Sequence, residues 1–461
     1  MIKCLKCGTE CEIIEGICYN CGADLPAPYE VADQLYNEDE FYADDEIVNP
    51  VQNSTLCNAA LSGGAITVLA GGCIHLAGIW LERGSIVIAG DVIAAIYDYK
   101  LEDEESYGVQ YIDCTDMIIS PGFIDSHIHG MHGIDVNNAN AADFADLSMY
   151  AAKHGMTTII PTSVACMPVE LEAIVENFRK AKKTGLPGCK MEGLHLESNF
   201  INPKTKGAQP ENAIFSHDTT LGNAIKNIID INKDLIKIVT LAPEMEGNIY
   251  LTEWLTKRNI LPSIGHSNAT YDEAIYGIDA GAKRVTHLYN AMSPLHHRNP
   301  NMVGAALSDD RVFIELVGDG IHVHYAAMQV AINGKGVDKV MVISDCLPGA
   351  YLNDGEEFEF AGNLVHIDGG VAKMPDGTIA GSITSSEKII KLLVNELGYE
   401  LNEAIYMIST AHAFNLYLLD TGQIAEGMKA DLVILDNELN VCATFVDGRL
   451  VYRNSSCERG Q

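Results

Sequence analysis

The chain has 461 residues, 47% apolar and 20% charged, with a formal net charge of −33. That length accommodates a large catalytic domain with smaller modules attached, and no run reaches the ~18 consecutive apolar residues of a membrane span. The acidic balance argues against nucleic acid as a general partner, because phosphate backbones select basic surfaces.

Five of the thirteen cysteines fall within residues 1–25. The opening MIKCLKCG lacks the apolar core of an export signal, which predicts a cytoplasmic protein whose cysteines act as thiols and metal ligands rather than disulfides. Cys4-x-x-Cys7-Gly and Cys18-x-x-Cys21-Gly predict a zinc ribbon with four thiolates around a structural zinc. The glycines let the backbone turn tightly beside the sulfurs. A redox CxxC pair or a chance cluster are the competing readings, and Cys11 is a spare thiol. So short a module buries no core, so zinc would supply its folding energy. It would serve in oligomerisation, in docking a protein partner or in covering an edge. Residues 26–60 are acidic and turn-rich, which predicts a solvated linker.

Short β-rich runs separated by Gly, Asp and Asn follow over residues 65–120, among them SIVIAG, VIAAIYDY and MIIS. The tail repeats the pattern in DLVILD, CATFVDG and RLVYR. Residues 61–120 and 421–461 are therefore expected to pair into one small β-sandwich domain. Between them, apolar runs alternate with amphipathic helical patterns such as PVELEAIVENFRKAKK and HYAAMQVAING. The runs are IISPGFIDSHIH, TTIIPTS, KMEGLHLE, IKIVTLAPE, ILPSIGHS, RVTHLYN, VFIELVGDGIHV and KVMVISD. Such alternation means a parallel sheet covered by helices. Eight units over residues 121–420 predict a (β/α)8 barrel, with a doubly wound open sheet as the alternative.

All but one of these runs carry a His, Glu or Asp at or near their end, at the barrel edge where such enzymes place their chemistry. The first ends Asp125-Ser126-His127-Ile128-His129, and residues two apart on a strand face one side. Glu197, Glu244, His266, His287, His322 and Asp345 follow. Any one histidine alone reads as a core or surface residue. Together they predict a site for one or two divalent cations, of zinc, iron, manganese or cobalt, with an aspartate placed to take a proton from water.

The segments PGFIDSHIHG, GLHLES-NFINPKTKGAQP, LAPE, GHSNATYDEA, THLYNAMSPLHHRNP, GDGIHV, ISDCLPGAYL and IAGS make residues 121–431 resemble the N-acetylglucosamine-6-phosphate deacetylases of the amidohydrolase superfamily. The resemblance implies that Glu197, His266 and His287 hold the principal metal, and that His127 and His129 hold a second. It implies Asp345 as general base and then acid, and Gln209 as donor to the substrate carbonyl. Arg298 and His297, with the backbone of Asn290 and Ala291, would bind the phosphate of an N-acetylated amino-sugar phosphate, and His322 the sugar. It also implies a homodimer. Read without it, His296-His297-Arg298 is equally a polar loop. Ser198-Asn199, Cys346, Asn299, the ITSS continuation after IAGS and Ala411-His412 depart from the family pattern without removing a ligand, which leaves the sugar open. A deacetylase for the galacto epimer, another amidohydrolase and a non-catalytic barrel that binds a partner are the other readings.

Overall fold

The computed structural model describes residues 65–457 apart from 77, 104–107, 376 and 378, together with the backbone of four short strands nearer the start. Those are Ile2–Lys3 paired with Glu10–Cys11 and Ile13–Ile14 paired with Ile17–Cys18, within a unit that runs from Met1 to Cys57. Cys4, Cys7 and Cys21, the side chain of Cys18 and the acidic stretch 26–60 lie outside the described residues.

In the second unit, Asn58–Gln461, the eight apolar runs each supply one strand. In order these are Phe123–Ile128, Met156–Ser163, Leu194–Glu197, Ile236–Leu241, Leu261–Ile264, Arg284–Val285, Phe313–Val317 and Val340–Ile343. Each pairs in parallel with the next. The last meets the first through a parallel bridge between Ile128 and Cys346, with Asp345 N bonded to His127 O at 3.0 Å and His129 N to Cys346 O at 2.8 Å. The result is a nearly closed barrel. Local chemistry sets the surrounding helices. Asn140 and Asp143 form a capping box on Ala141–Lys153, and Thr270 and Glu273 another on Tyr271–Asp279. Pro168 opens Pro168–Thr184, and Gly185 stops it at φ 94°.

Strands from both flanks of the barrel form one eight-stranded sheet. Its join is the antiparallel ladder of Ile118–Pro121 with Leu432–Leu435. Leu69, Ile86, Ile88, Ile119, Leu432 and Phe445 form its apolar core. Cys442 and Cys457 are disulfide-bonded, so the expectation of thiols throughout does not hold there, whereas Cys73, Cys114, Cys166, Cys189 and Cys346 are free. No helix among the described residues is long and apolar enough to cross a membrane.

One element departs from the expected barrel pattern. After the eighth strand comes an antiparallel sheet of Glu357–Phe360, Asn363–Asp368, Val371–Lys373 and Ile379–Gly381. Its buried face, Phe358, Phe360, Val365, Ile367 and Ala372, packs against Val164 and Leu347 at the ends of strands two and eight. The alternation in EFEF, exposed and buried in turn, was its signal.

Candidate metal centre

Every side chain of the centre projects from the carboxyl end of a barrel strand, where helix-covered parallel sheets leave their loops free for function. Three of the residues, His266, His287 and Asp345, sit just past their strands at φ 46°, 31° and 50°. Left-handed backbone is unfavourable for residues with a Cβ and recurs where a site over-determines it. Gly130, directly after His129, permits a close approach, since a Cβ there would lie 1.9 Å from Ile134 O.

The side chains converge in two adjoining halves. In one, Glu197 Oε1 lies 2.8 Å from His266 Nε2 and 2.9 Å from His287 Nε2. In the other, Asp345 Oδ1 lies 3.3 Å from His129 Nε2 and 3.4 Å from His127 Nε2. Glu197 Oε2 is 3.4 Å from His129 Nε2 and links the halves. Within each half the ligand atoms lie within 4.8 Å of one another.

The hydrogen bonds on the far side of the rings decide what these nitrogens are. His127 Nδ1 faces Glu315 Oε2 at 3.0 Å, His129 Nδ1 faces Thr162 O at 3.1 Å, and His266 Nδ1 faces Thr205 O at 2.9 Å. A carbonyl or an ionised carboxylate only accepts, so in the neutral rings Nδ1 carries the proton and Nε2 presents a lone pair. Yet His127 and His129 bring their Nε2 atoms within 3.3 Å, and His266 and His287 within 3.1 Å. The lone pairs of His127, His129 and His266, crowded against one another and against two carboxylates, call for a cation between them, while His287 Nδ1 has no partner to fix its tautomer. The donor set of imidazole nitrogen and carboxylate oxygen suits zinc, iron(II), manganese or cobalt.

Without a bound cation, a proton on the rings answers the same excess of carboxylate charge. Burial opposes charge on the His129 ring, but Asp345 and Glu197 reverse the balance and push its pKa up to about 10. Burial likewise works against ionised Glu197 and Asp345, and the surrounding imidazoles overcome it and hold both carboxyls well below their usual range. Asp345 keeps 14% side-chain exposure where the other five keep 0–6%, so water reaches it most easily.

Of the other expected residues, Gln209 joins the centre. Its Oε1 accepts from Ala165 N at 2.8 Å, which turns its amide NH2 onto Glu197 Oε2. His322 is half-buried, with Nδ1 2.6 Å from Asp319 Oδ2, while Asp319 Oδ1 accepts from the main chain of Ile321 and His322. Asn290 and Ala291 are half-buried on a loop that turns through positive φ at Tyr289 and Ala291. His297 and Arg298 are exposed and bonded to each other at 2.8 Å. Glu244 does not join the cluster. It bonds Asn202 Nδ2, Ser267 Oγ and Asn268 N and fastens neighbouring loops together.

Sequence reasoning missed three buried residues just beneath: His195, Arg284 and Glu315. Glu315 and Arg284 were visible as charges inside the apolar strands FIELV and RV, which have to find a partner. His412, one of the departures from the family pattern, bonds Ser126 Oγ at 3.0 Å and Val342 O at 3.1 Å in this deeper layer.

A parallel barrel whose mouth gathers four imidazoles and two carboxylates around a cation site defines a metal-dependent hydrolase. Residues 118–451 match the amidohydrolase family, and the chain belongs to it. The N-acetylgalactosamine-6-phosphate deacetylase of Escherichia coli O157:H7 is 32% identical over 374 residues, 80% of this chain and 95% of that one. The N-acetylglucosamine-6-phosphate deacetylase of Bacillus subtilis (strain 168) is 33% identical over 360 residues, 77% of this chain and 90% of that one. The crystal structure of N-acetylglucosamine-6-phosphate deacetylase from Pasteurella multocida superposes with a TM-score of 0.78 at 28% identity, covering 84% of this chain and all of that one.

Proposed function

We propose that the chain hydrolyses the acetamide of N-acetylglucosamine 6-phosphate to acetate and glucosamine 6-phosphate. The carrying observation is the convergence of Glu197, His266, His287, His127, His129 and Asp345 in a chain 33% identical to an N-acetylglucosamine-6-phosphate deacetylase and 32% identical to an N-acetylgalactosamine-6-phosphate deacetylase. Glu197, His266 and His287 would hold one divalent cation, and His127 and His129 beside Asp345 a second. A bound cation supplies Lewis acidity toward the amide carbonyl and makes a water acidic near neutrality.

Asp345 takes one proton from the attacking water as the new C–O bond forms. It returns that proton to the amide nitrogen as the C–N bond breaks, so the sugar leaves as an amine. Gln209 has a second amide hydrogen to offer the carbonyl oxygen as charge develops there. His322, steadied by Asp319, binds the sugar. Arg298 offers its planar fork to the phosphate, assisted by His297 and the backbone of Asn290 and Ala291. The exposure of Arg298 supports a homodimer in which that loop completes a phosphate site. The chain works in the cytoplasm, and the N-terminal cysteines hold a structural zinc that presents a surface to a protein partner.

The galacto epimer is the second reading, favoured by the 32% identity to a deacetylase of that sugar phosphate. Acetate release from both 6-phosphates and from unphosphorylated N-acetylglucosamine separates the cases. Release from the gluco 6-phosphate above the others is expected. Preference for the galacto epimer would replace the substrate, and equal release from the unphosphorylated sugar would remove the role given to Arg298.

A further inference from the structure

Glu315 lies in the seventh barrel strand, fully buried beneath the metal centre. Its Oε2 accepts from His127 Nδ1 at 3.0 Å and from the main-chain N of His287 at 3.1 Å. A single oxygen therefore touches one residue from each half of the cluster. Its Oε1 accepts from Arg284 Nη2. Arg284, also fully buried, bonds Asn415 Oδ1 and Ser126 Oγ at 2.9 Å each. The carboxylate cannot turn without breaking three bonds at once.

We infer that Glu315 is a positioning residue whose carboxylate, locked by Arg284, fixes the Nδ1–H tautomer of His127 and so enables the His127–His129–Asp345 half of the centre to take a second divalent cation. The inference deepens the proposed deacetylase reading and rests on it only for what the second cation is used for. The two halves depend on Glu315 unequally. His266 has its own tautomer lock at Thr205 O, and His287 meets Glu315 only through its backbone. His129 is locked separately by Thr162 O. Only His127 relies on Glu315 for the state of its ring.

Glu315→Gln tests this because Arg284 has donors and no acceptor. It captures the amide oxygen, so the amide NH2 faces His127 Nδ1 and also the main-chain N–H of His287, which loses its acceptor. His127 Nδ1 has to accept, the ring proton moves to Nε2, and the ligand lone pair is lost. Losing such an outer partner weakens metal binding by about 10–100-fold. A merely structural ion pair would lower stability without changing how many cations bind.

The metal-free full chain is titrated with Co²⁺, followed by its visible absorption bands and by bound-metal analysis. Thiolate charge-transfer bands report the N-terminal cysteines separately. Glu315→Gln is expected to bind one equivalent fewer than the wild type, with the remaining barrel equivalent retained because neither the His266 nor the His287 ring bonds Glu315. Glu315→Gln combined with Arg284→Met frees the amide to turn its oxygen to His127, and is expected to regain the equivalent. Equal stoichiometry and affinity in wild type and Glu315→Gln would overturn the inference. So would a folded double variant that stays one equivalent short, which decides the matter even where the single variant does not fold. If the wild type releases no acetate from any hexosamine phosphate, the substrate reading falls and the cation count still judges Glu315.

Discussion

The barrel mouth and the layer just beneath it are built from the same residue types and behave in opposite ways. Beneath, Glu315, Arg284, Ser126, Asn415 and His412 match donors to acceptors across a fully buried network. At the mouth, the Nε2 atoms of His127, His129 and His266 and two carboxylates, all acceptors in the neutral state of those rings, confront one another beside His287, with Gln209 as a donor among them. The lower layer pairs its donors with acceptors, Arg284 Nε excepted, and those bonds hold the strands in place. Those at the mouth are satisfied only by something the chain does not itself contain. Burial of a histidine or a carboxylate therefore identifies no site by itself; the mismatch of donors and acceptors does.

The sharpest break in that comparison comes at Asp345, which belongs to the mouth yet is assigned to protons. Asp345→Asn is expected to lower kcat by about 10²–10⁴-fold, the usual worth of a general acid–base, while Glu197, His266 and His287 keep their cation. Turnover with parallel metal analysis checks both halves of the statement. Undiminished turnover would reassign the proton transfers.

In the lower layer, Arg284→Met leaves the buried Glu315 carboxylate without its cationic partner. Stranding one charge of a buried pair typically costs about 3–5 kcal/mol, read as a fall in the midpoint of chemical denaturation. Chelation acts on the mouth instead. At a free cation concentration 100 times Kd, binding stabilises the native state by ~2.7 kcal/mol. Exhaustive chelation should remove that increment, and zinc or cobalt should restore it together with activity. If Arg284→Met and chelation were equally mild, the contrast between the layers would collapse.

The barrel and the mouth were legible in the sequence, whereas the lower layer was not, for a physical reason. Apolar runs with turn signals between them mark parallel strands directly, and all eight runs became strands. His, Glu or Asp at the end of a run marks a strand mouth, as at His127, Glu197 and Asp345. Glu244 shows the limit of that rule, because a carboxylate at a strand end can equally fasten loops. Glu315 and Arg284 come from different strands, and nothing local in FIELV or RVTH says which charge meets which. The four-stranded sheet after the eighth strand was hidden for another reason. Its EFEF alternation is short, and nothing in it says which strands it pairs with.

The smallest effect concerns His412, the titratable ring of the lower layer, bonded to Ser126 Oγ and Val342 O. Burial and then the nearby Arg284 guanidinium lower its pKa from 6.5 to about 3. The folded state binds this proton more weakly than the unfolded chain, so the group costs nothing above about pH 6.5, the unfolded value. Stability then falls as pH drops through the window from 6.5 toward 3. His412→Asn removes the titrating ring. It should lose about 0.5–1.5 kcal/mol per lost hydrogen bond at pH 7 and show a shallower acid slope than the wild type. Denaturation midpoints at pH 7 and pH 4.5 measure both. A steep slope surviving in His412→Asn would place the acid sensitivity elsewhere, and the mouth, where protons compete with the cation for the same Nε2 atoms, would be the next place to look.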